Sequence, residues 1–153
     1  MPHVDPSTTT DAVEPPLLAV DDQVSDVRVI DGLSELEGLK GKVFDFVGKR
    51  LKRESERQLR KHKRWSDAEA LVLHLEIKHI RLRKNAAVLL IWQVAGVDEM
   101  GIRLWFTRRG EVVASAAVNT VYDAAGGIYG TNSNQRRLEM LADQAVRKMV
   151  KRL

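Results

Sequence analysis

The chain has 153 residues and a mass of 17.3 kDa, which is the size of one domain and enough for a hydrophobic core without disulfides or metals. It contains no cysteine, which excludes thiol catalysis, disulfide scaffolds and cysteine-based zinc sites, and no apolar run approaches the ~20 residues of a membrane span. The net charge of +4 is spread unevenly. Residues 1–26 carry six carboxylates and no Lys or Arg, whereas residues 38–64 carry eleven Lys or Arg and three carboxylates.

The first 19 residues have the composition of a tail. They contain all four prolines of the chain and the polar run from Ser7 to Thr10. Such a segment buries too little apolar surface to offset the entropy lost on ordering. It also lacks the basic start and apolar stretch of a secretory signal. We predict a disordered acidic tail or linker over residues 1–19 and a single α/β domain over residues 20–153.

A short strand and a long helix come next. Residues 27–30, Val-Arg-Val-Ile, are a short strand candidate with three β-branched apolar residues, and Asp31-Gly32 is a turn signal. A helix is predicted over residues 34–64, with Ser34 and Glu37 in a capping-box pattern. Apolar residues recur along it at spacings of three and four, and most Lys and Arg fall off that stripe. The pattern predicts a helix with one buried face.

In the rest of the chain, segments of alternating apolar and polar residues predict strands, and a second helix follows them. Residues 70–83 form the clearest strand, and its change of phase near Lys78-His79 indicates a β-bulge. Residues 86–97 fit a buried strand or a short packed helix equally well. Residues 102–107 and 111–122 flank the turn at Arg109-Gly110 as a hairpin, and residues 134–153 form a second helix. The order predicts an α+β fold, a two-layer α/β sandwich with a mostly antiparallel sheet of four or five strands and both helices on one face.

Catalytic constellations are missing from the sequence. The histidines His3, His62, His74 and His79 do not cluster with other metal-ligand types at useful spacing, and Ser115 has no nucleophile-elbow glycines around it. No Walker motif or dinucleotide fingerprint occurs. We therefore expect no catalytic residue, no metal and no cofactor, and predict that the protein is not an enzyme.

The long helix carries the main candidate site. Cations crowd the stretch where its apolar stripe thins, namely Lys49, Arg50, Lys52, Arg53, Arg57, Arg60, Lys61, Lys63 and Arg64. Packing does not require so many like charges, and their repulsion works against a helix. Three interpretations stay open: a solvated face with some acid–base pairs, a surface that binds phospholipid headgroups, lipopolysaccharide or nucleic acid, and a face neutralised by the acidic tail.

A glycine-rich loop before the last helix is the second candidate. Its glycines allow positive φ, and its Thr, Asn and Ser side chains can cap the helix that follows. With Arg136 and Arg137 nearby, its backbone N–H groups could hold an anion, although a plain capped connection needs the same residues. The loop candidates are Gly126, Gly127, Gly130, Thr131 and Arg136.

The order of motifs after residue 27 resembles a bacterial family of unknown function found largely in envelope lipoproteins. The resemblance rests on the long strand at residues 70–82, the run LLIWQVAGV at 89–97, a hairpin closing on residues 110–113, the segment GGIYG at 126–130 and an Ala/Leu/Val-rich last helix. It implies a fold similar to the small α/β domains of curli-secretion and Tol-type N-terminal modules. It supplies no catalytic residues.

From this resemblance we expect a non-enzymatic binding or assembly module of the bacterial cell envelope. Its expected partner is another envelope protein or anionic lipid. The chain departs from the family by lacking a signal peptide and a lipid-bearing Cys. We therefore expect an envelope or periplasmic location if a native signal has been removed, and a cytoplasmic one otherwise. The alternative function is a cytoplasmic nucleic-acid-binding domain that uses the basic helix.

Overall fold

The computed structural model describes residues 14–33, 40–82, 98–122 and 134–153. Its elements are β1 (Val24–Asp31), α1 (Lys40–Lys61), β2 (Leu71–Arg81), β3 (Asp98–Arg108), β4 (Glu111–Tyr122) and α2 (Asn134–Val150). This is the predicted α+β fold, with four described strands. The segment 86–97, for which strand and helix both stayed open, lies outside the described residues, as do the first residues of the predicted long helix.

The four strands form one mixed sheet in the order β1-β2-β3-β4. β1 and β2 are parallel, because α1 carries the chain back across the sheet between them, and the other two pairings are antiparallel. The bulge predicted near Lys78-His79 is confirmed, since the pairing of β2 with β3 slips between Ile77 and His79. The turn at Arg109-Gly110 has positive φ at both residues, as a two-residue hairpin requires.

Both helices pack on the same face of the sheet, as predicted. α1 contacts β1, α2 contacts β3 and β4, and the two helices contact each other. Alternate residues of the strands point inward to meet them, so that apolar side chains from both layers form one core. Its largest buried members include Leu51, Leu59, Leu71, Leu73, Ile77, Met100, Leu104, Phe106, Leu141 and Met149. Among the residues that the structure describes, no element covers the opposite face of the sheet.

A buried ion pair fixes the start of α2 against the start of β3. The side chains of Arg137 and Asp98 are both fully buried, and Arg137 Nε donates to Asp98 Oδ2 over 2.7 Å. A second contact joins Arg137 Nη2 to Asp98 Oδ1. Arg137 is thus part of the interior, which corrects the expectation that it could hold an external anion beside the glycine-rich loop.

The packed part of the domain extends back into the predicted tail. Leu17 N donates to Arg152 O over 2.8 Å, and Leu18 is only 4% exposed within the core. Glu14 forms an ion pair with Arg152 at 2.9 Å. Residues 1–13, which hold most of the predicted tail, lie outside the described residues. The boundary at residue 19 stays a prediction, and these contacts favour one a few residues earlier.

Replacing Arg137 with Gln is expected to lower the free energy of unfolding by about 3–5 kcal/mol, because Asp98 is left as an unpaired charge in the interior. Urea denaturation followed by tryptophan fluorescence measures the change. The matched control is Arg136→Gln, one residue earlier, whose exposed pair with Glu139 is worth about 0.2–1 kcal/mol. Equal losses in the two variants would contradict the structural role of the buried pair.

Deleting residues 1–13 is expected to leave the thermal midpoint nearly unchanged, whereas deleting residues 1–18 lowers it by several degrees. The larger deletion removes Leu18 from the core and frees the Arg152 carbonyl, and loss of one buried Leu side chain costs about 2–5 kcal/mol. Calorimetry of the two truncated proteins beside the full chain checks this. A large loss from the shorter deletion would show that residues 1–13 dock on the domain.

Candidate anion-binding surface

The cations of α1 are not equivalent, because its buried stripe and the acids around it sort them into two groups. Val47, Leu51 and Leu59 are fully buried, which turns this side of the helix toward the core. The remaining surface carries seven of the nine candidates. The helix ends at Lys61, three residues before the predicted end, and Lys63, with a positive φ, and Arg64 follow it. Four of the nine candidates are held by hydrogen bonds or ion pairs within the domain, and five are not.

Arg50 joins the two helices. Its Nε and Nη2 donate to the two carboxylate oxygens of Asp143 on α2 over 2.8 and 2.7 Å, and both side chains are largely buried. The hydrogen bond to Asp143 raises the pKa of Arg50 above its ordinary value. Arg50 is therefore a structural residue.

Lys52 and Arg57 are paired along the helix and with the sheet. Lys52 Nζ donates to the Val27 carbonyl over 2.8 Å and forms an ion pair with Glu56 at 3.3 Å. Arg57 Nε donates to Glu54 Oε2 over 3.0 Å. The hydrogen bond from Arg57 is the main reason that the pKa of Glu54 lies below its ordinary value despite the burial of that carboxylate. Removing Arg57 would leave a buried charge, so this cation is also tied to stability.

Arg64 joins the segment after α1 to the segment before β1 and to the end of the α2 segment. Its guanidinium donates to the main-chain oxygens of Ala19 over 2.6 Å, Asp22 over 3.0 Å and Leu153 over 3.2 Å. These main-chain oxygens hold the side chain in place without an acid side chain.

The other five candidates are exposed and have no acid partner among the described residues. The Arg60 guanidinium lies 4.7 Å from the ring centroid of Trp65, a cation–π contact that leaves its charge in solvent. No hydrogen bond or ion pair within the described part of the chain involves the side chains of Lys49, Arg53, Lys61 or Lys63.

Three of these cations form a line on the helix. Lys49, Arg53 and Arg60 are four and seven residues apart, spacings that bring side chains to one side of a helix. At 1.5 Å per residue the line is about 16 Å long. We call Lys49, Arg53 and Arg60 the cationic line. Its shape is convex, which suits contact with an extended anionic surface or polymer.

The described part of the acidic tail does not neutralise this line. Asp22 pairs with Arg108 at 2.8 Å, and Glu14 pairs with Arg152 at 2.9 Å. Both cations lie outside α1. Asp26 Oδ1 lies 3.7 Å from Lys52 Nζ, so residues 14–26 offset one candidate cation of α1 but none of the cationic line. The acids of residues 1–13 lie outside the described residues.

A groove that the sequence did not predict lies between the C-terminal ends of the two helices. It has a volume of about 630 Å³ and is lined by Gln58, His62, Arg64, Gln144, Arg147, Val150, Lys151 and Leu153. No Asp or Glu side chain lines it. Arg147 lies in the last turn of α2 and Lys151 directly follows the helix, where cations offset the negative end of the helix dipole. Pairing with the end of α1, over a distance of more than 80 residues in sequence, is what makes them one wall of a groove.

The loop candidates are not brought together with this surface. Gly126, Gly127, Gly130 and Thr131 lie outside the described residues. Arg136 is exposed near the start of α2, where it pairs with Glu139 at 3.1 Å. The groove is at the other end of that helix, about 16 Å away by helical rise. The loop site thus stays a separate prediction.

The open face of the sheet carries an aromatic cluster. The His74 and Trp105 rings are stacked with centroids 5.2 Å apart, and the Arg103 guanidinium lies 5.5 Å from the Trp105 centroid. His74 Nε2 is 2.8 Å from Thr107 Oγ1. Burial, followed by the nearby charge of Arg28, lowers the pKa of His74. Because the Trp105 ring already contacts two side chains, it is a poor stacking platform for a nucleotide base.

Two further properties of the described residues bear on the kind of site. No group of three or more His, Asp or Glu side chains there is arranged to hold a metal ion. Neither of the described helices combines the length and apolar character needed to cross a bilayer.

Protonation of His74 is expected to destabilise the fold as the pH falls below 6.5, the ordinary pKa of the imidazole. Because the pKa is lower in the folded state, the unfolded chain takes up the proton first. The stabilising contribution is complete above 6.5 and is lost as the pH falls through the folded-state value. Urea unfolding between about pH 7 and pH 5 measures it. His74→Gln should flatten this part of the profile, and an unaltered profile in that variant would rule out His74 as its source.

Among known proteins, only solved structures are similar to this chain, and no match was found by sequence. No family model and no curated protein matches the sequence. The chain is similar to a subunit of the PelC dodecamer from Paraburkholderia phytofirmans, with 16% identity and a TM-score of 0.46 over 91% of this chain and 93% of that one. It is also similar to a lipoprotein from Caulobacter crescentus, with 21% identity and a TM-score of 0.42 over 79% and 85%. A minor lipoprotein from Acinetobacter baumannii shows 12% identity and a TM-score of 0.41 over 85% and 90%. Two of the three are described as lipoproteins, and at these values the similarity assigns no function to the chain.

Proposed function

We propose that the protein is a non-enzymatic binding or assembly module that holds an anionic partner on the cationic line of α1. The observation that carries this proposal is the sorting of the α1 cations. Arg50, Lys52 and Arg57 have acid partners, whereas Lys49, Arg53 and Arg60 lie exposed without one in the described part of the chain.

Packing does not explain these cations, since only Arg60 contacts a partly buried side chain, the ring of Trp65, and Lys49 and Arg53 have no described contact of this kind. They lie off the buried stripe of α1, and their mutual repulsion opposes the helix. Close like charges raise the local potential and attract counter-ions or an anionic surface. The groove at the helix ends is a second positive region, since Arg64, Arg147 and Lys151 line it without a carboxylate side chain. An anionic partner on the cationic line would relieve the repulsion there.

The partner that we favour is an anionic lipid surface or an acidic protein of the bacterial cell envelope. The convex shape of the cationic line supports a broad partner over a small enclosed ligand. The envelope location rests on the resemblance stated for the sequence. The second candidate is a cytoplasmic nucleic-acid-binding domain, which would use the same cations on the phosphate backbone. The engaged ring of Trp105 disfavours the version of this candidate that depends on base stacking.

Binding to anionic vesicles and to oligonucleotides tests the proposal. We expect weak binding at low salt that falls steeply toward physiological salt, where the Debye length is about 8 Å. The variant Lys49→Gln, Arg53→Gln, Arg60→Gln should lose most of this binding and keep the fold. The matched control removes three exposed cations elsewhere, in Arg81→Gln, Arg103→Gln, Arg109→Gln, and should bind nearly as well as the parent.

The outcomes separate the candidates. Preference for vesicles rich in phosphatidylglycerol over single-stranded and duplex DNA supports the envelope function, and the reverse preference supports the nucleic-acid function. Equal losses in the two triple variants would mean that only net charge matters and would remove α1 as the site. No binding to either ligand at low salt would leave the cationic line as a solvated helix face.

A further inference from the structure

The exposed apolar side chains of the domain are concentrated on one strand. Four large hydrophobic residues are exposed in the described part of the chain, and three of them, Val112 at 63%, Val113 at 49% and Val121 at 47%, belong to β4. The fourth is Val20, next to the N-terminal segment. Scattered exposed apolar residues are normal on a protein surface, but a group on one element marks a surface that meets another chain.

β4 is also an edge strand, and it has few of the features that keep an edge strand from pairing with another chain. It pairs with β3 on one side, and no described strand lies on its other side. From residue 112 to residue 122 it contains no charged residue, Pro or Gly. The edge strand at the other end of the sheet, β1, carries Asp26, Arg28 and Asp31 within eight residues. Charges are a usual means of keeping an edge unpaired, so the two edges of this sheet differ in kind.

We propose that β4 pairs with β4 of a second copy of the chain, antiparallel and across a twofold axis. This interface is independent of the anionic partner proposed for α1. Antiparallel pairing requires an axis perpendicular to the sheet, so the helices of both copies lie on one side and the two open faces join on the other. The result is a continuous sheet with the four strands of each copy.

A second copy is a compatible partner for this edge, because a twofold axis places β4 of one copy beside β4 of the other. Like charges would then face each other, and the absence of charge from residue 112 to residue 122 removes that cost. The centre of the strand, Ala114-Ser115-Ala116-Ala117, is small, so two such strands can approach along their whole length. Among the described residues, Lys148 blocks part of this edge. Its Nζ donates to the Asn119 carbonyl over 2.7 Å, so that carbonyl is less available to a second strand.

The helix layer is also compatible with pairing of two copies through β4. Four strands spaced by about 4.8 Å are about 19 Å wide, and two helices side by side need about 20 Å. Each copy therefore covers its own half of the sheet, and joining two edges brings α2 beside its symmetry mate without forcing the helices apart.

Sedimentation of the full chain tests the proposal. We expect a mass that rises with concentration toward twice 17.3 kDa and stops there. Ser115→Lys, which places a charge at an exposed position among the small residues of β4, should keep the protein monomeric with an unchanged thermal midpoint. Val20→Lys is the matched control and should dimerise like the parent. A monomer at every concentration, or assemblies larger than two, would overturn the proposal.

Cysteine chemistry supplies an independent readout, because the chain has no cysteine of its own. Single variants Ser115→Cys, Ala117→Cys and Asn119→Cys should form covalent dimers on mild oxidation, fastest at the position nearest the axis, and Val20→Cys should not. Equal cross-linking of all four would indicate random collision and contradict the pairing. Failure of all three β4 positions, with Ser115→Lys strongly destabilised, would mean that the edge is covered by the same chain.

Discussion

The bidentate ion pair between Arg50 and Asp143 determines how the two helices sit on the sheet. It joins the middle of α1 to the middle of α2 through two hydrogen bonds of 2.8 and 2.7 Å in a largely buried position. A planar guanidinium that meets a carboxylate in this way fixes orientation as well as distance. Since the helices then run side by side in the same direction, their C-terminal ends meet, and the groove with Arg147 and Lys151 follows from that arrangement.

This ion pair and two others determine which cations of α1 stay unpaired. Three acids near the helix are already taken, Asp143 by Arg50, Glu54 by Arg57 and Glu56 by Lys52. Asp45, on the first half of α1, is exposed and forms no ion pair with another described residue. The cations that remain lie on the side of the helix away from the sheet. Charge that the fold neutralises stabilises the domain, and charge that it leaves unpaired is the part open to a partner. The nine candidates of the sequence thus contain two groups with different roles.

Much of the fold could be predicted from the sequence because its signals are local. The alternation in β2, its bulge, the turn at Arg109-Gly110 and the buried stripes of the helices each depend on neighbouring residues. The roles of the charged residues depend on distant ones. The partner of Arg50 is 93 residues away, and the groove is formed by the ends of both helices. Neither feature could be predicted from the spacing of residues in the sequence.

The buried pair of Asp98 and Arg137 was missed although one signal existed. Asp98 has the same parity as Met100, Ile102 and Leu104, which point inward, so the alternation placed an acid in the core. A buried carboxylate needs a cation, and that requirement could have directed attention to an Arg on the buried side of α2. Most of the glycine-rich loop, by contrast, lies outside the described residues, and its proposed anion site stays a prediction.

The domain presents two unlike surfaces, a convex cationic helix on one layer and an uncharged strand edge on the other. The central claim is that the cationic line binds anions, and the salt dependence of binding to a single-stranded oligo(dT) probe tests it most directly. The slope of log K against log salt reports the number of phosphate contacts, at about 0.7 per contact for single strands. Removing Lys49, Arg53 and Arg60 together should reduce that slope by about 2, whereas an unchanged slope would show that the probe binds elsewhere and contradict the account.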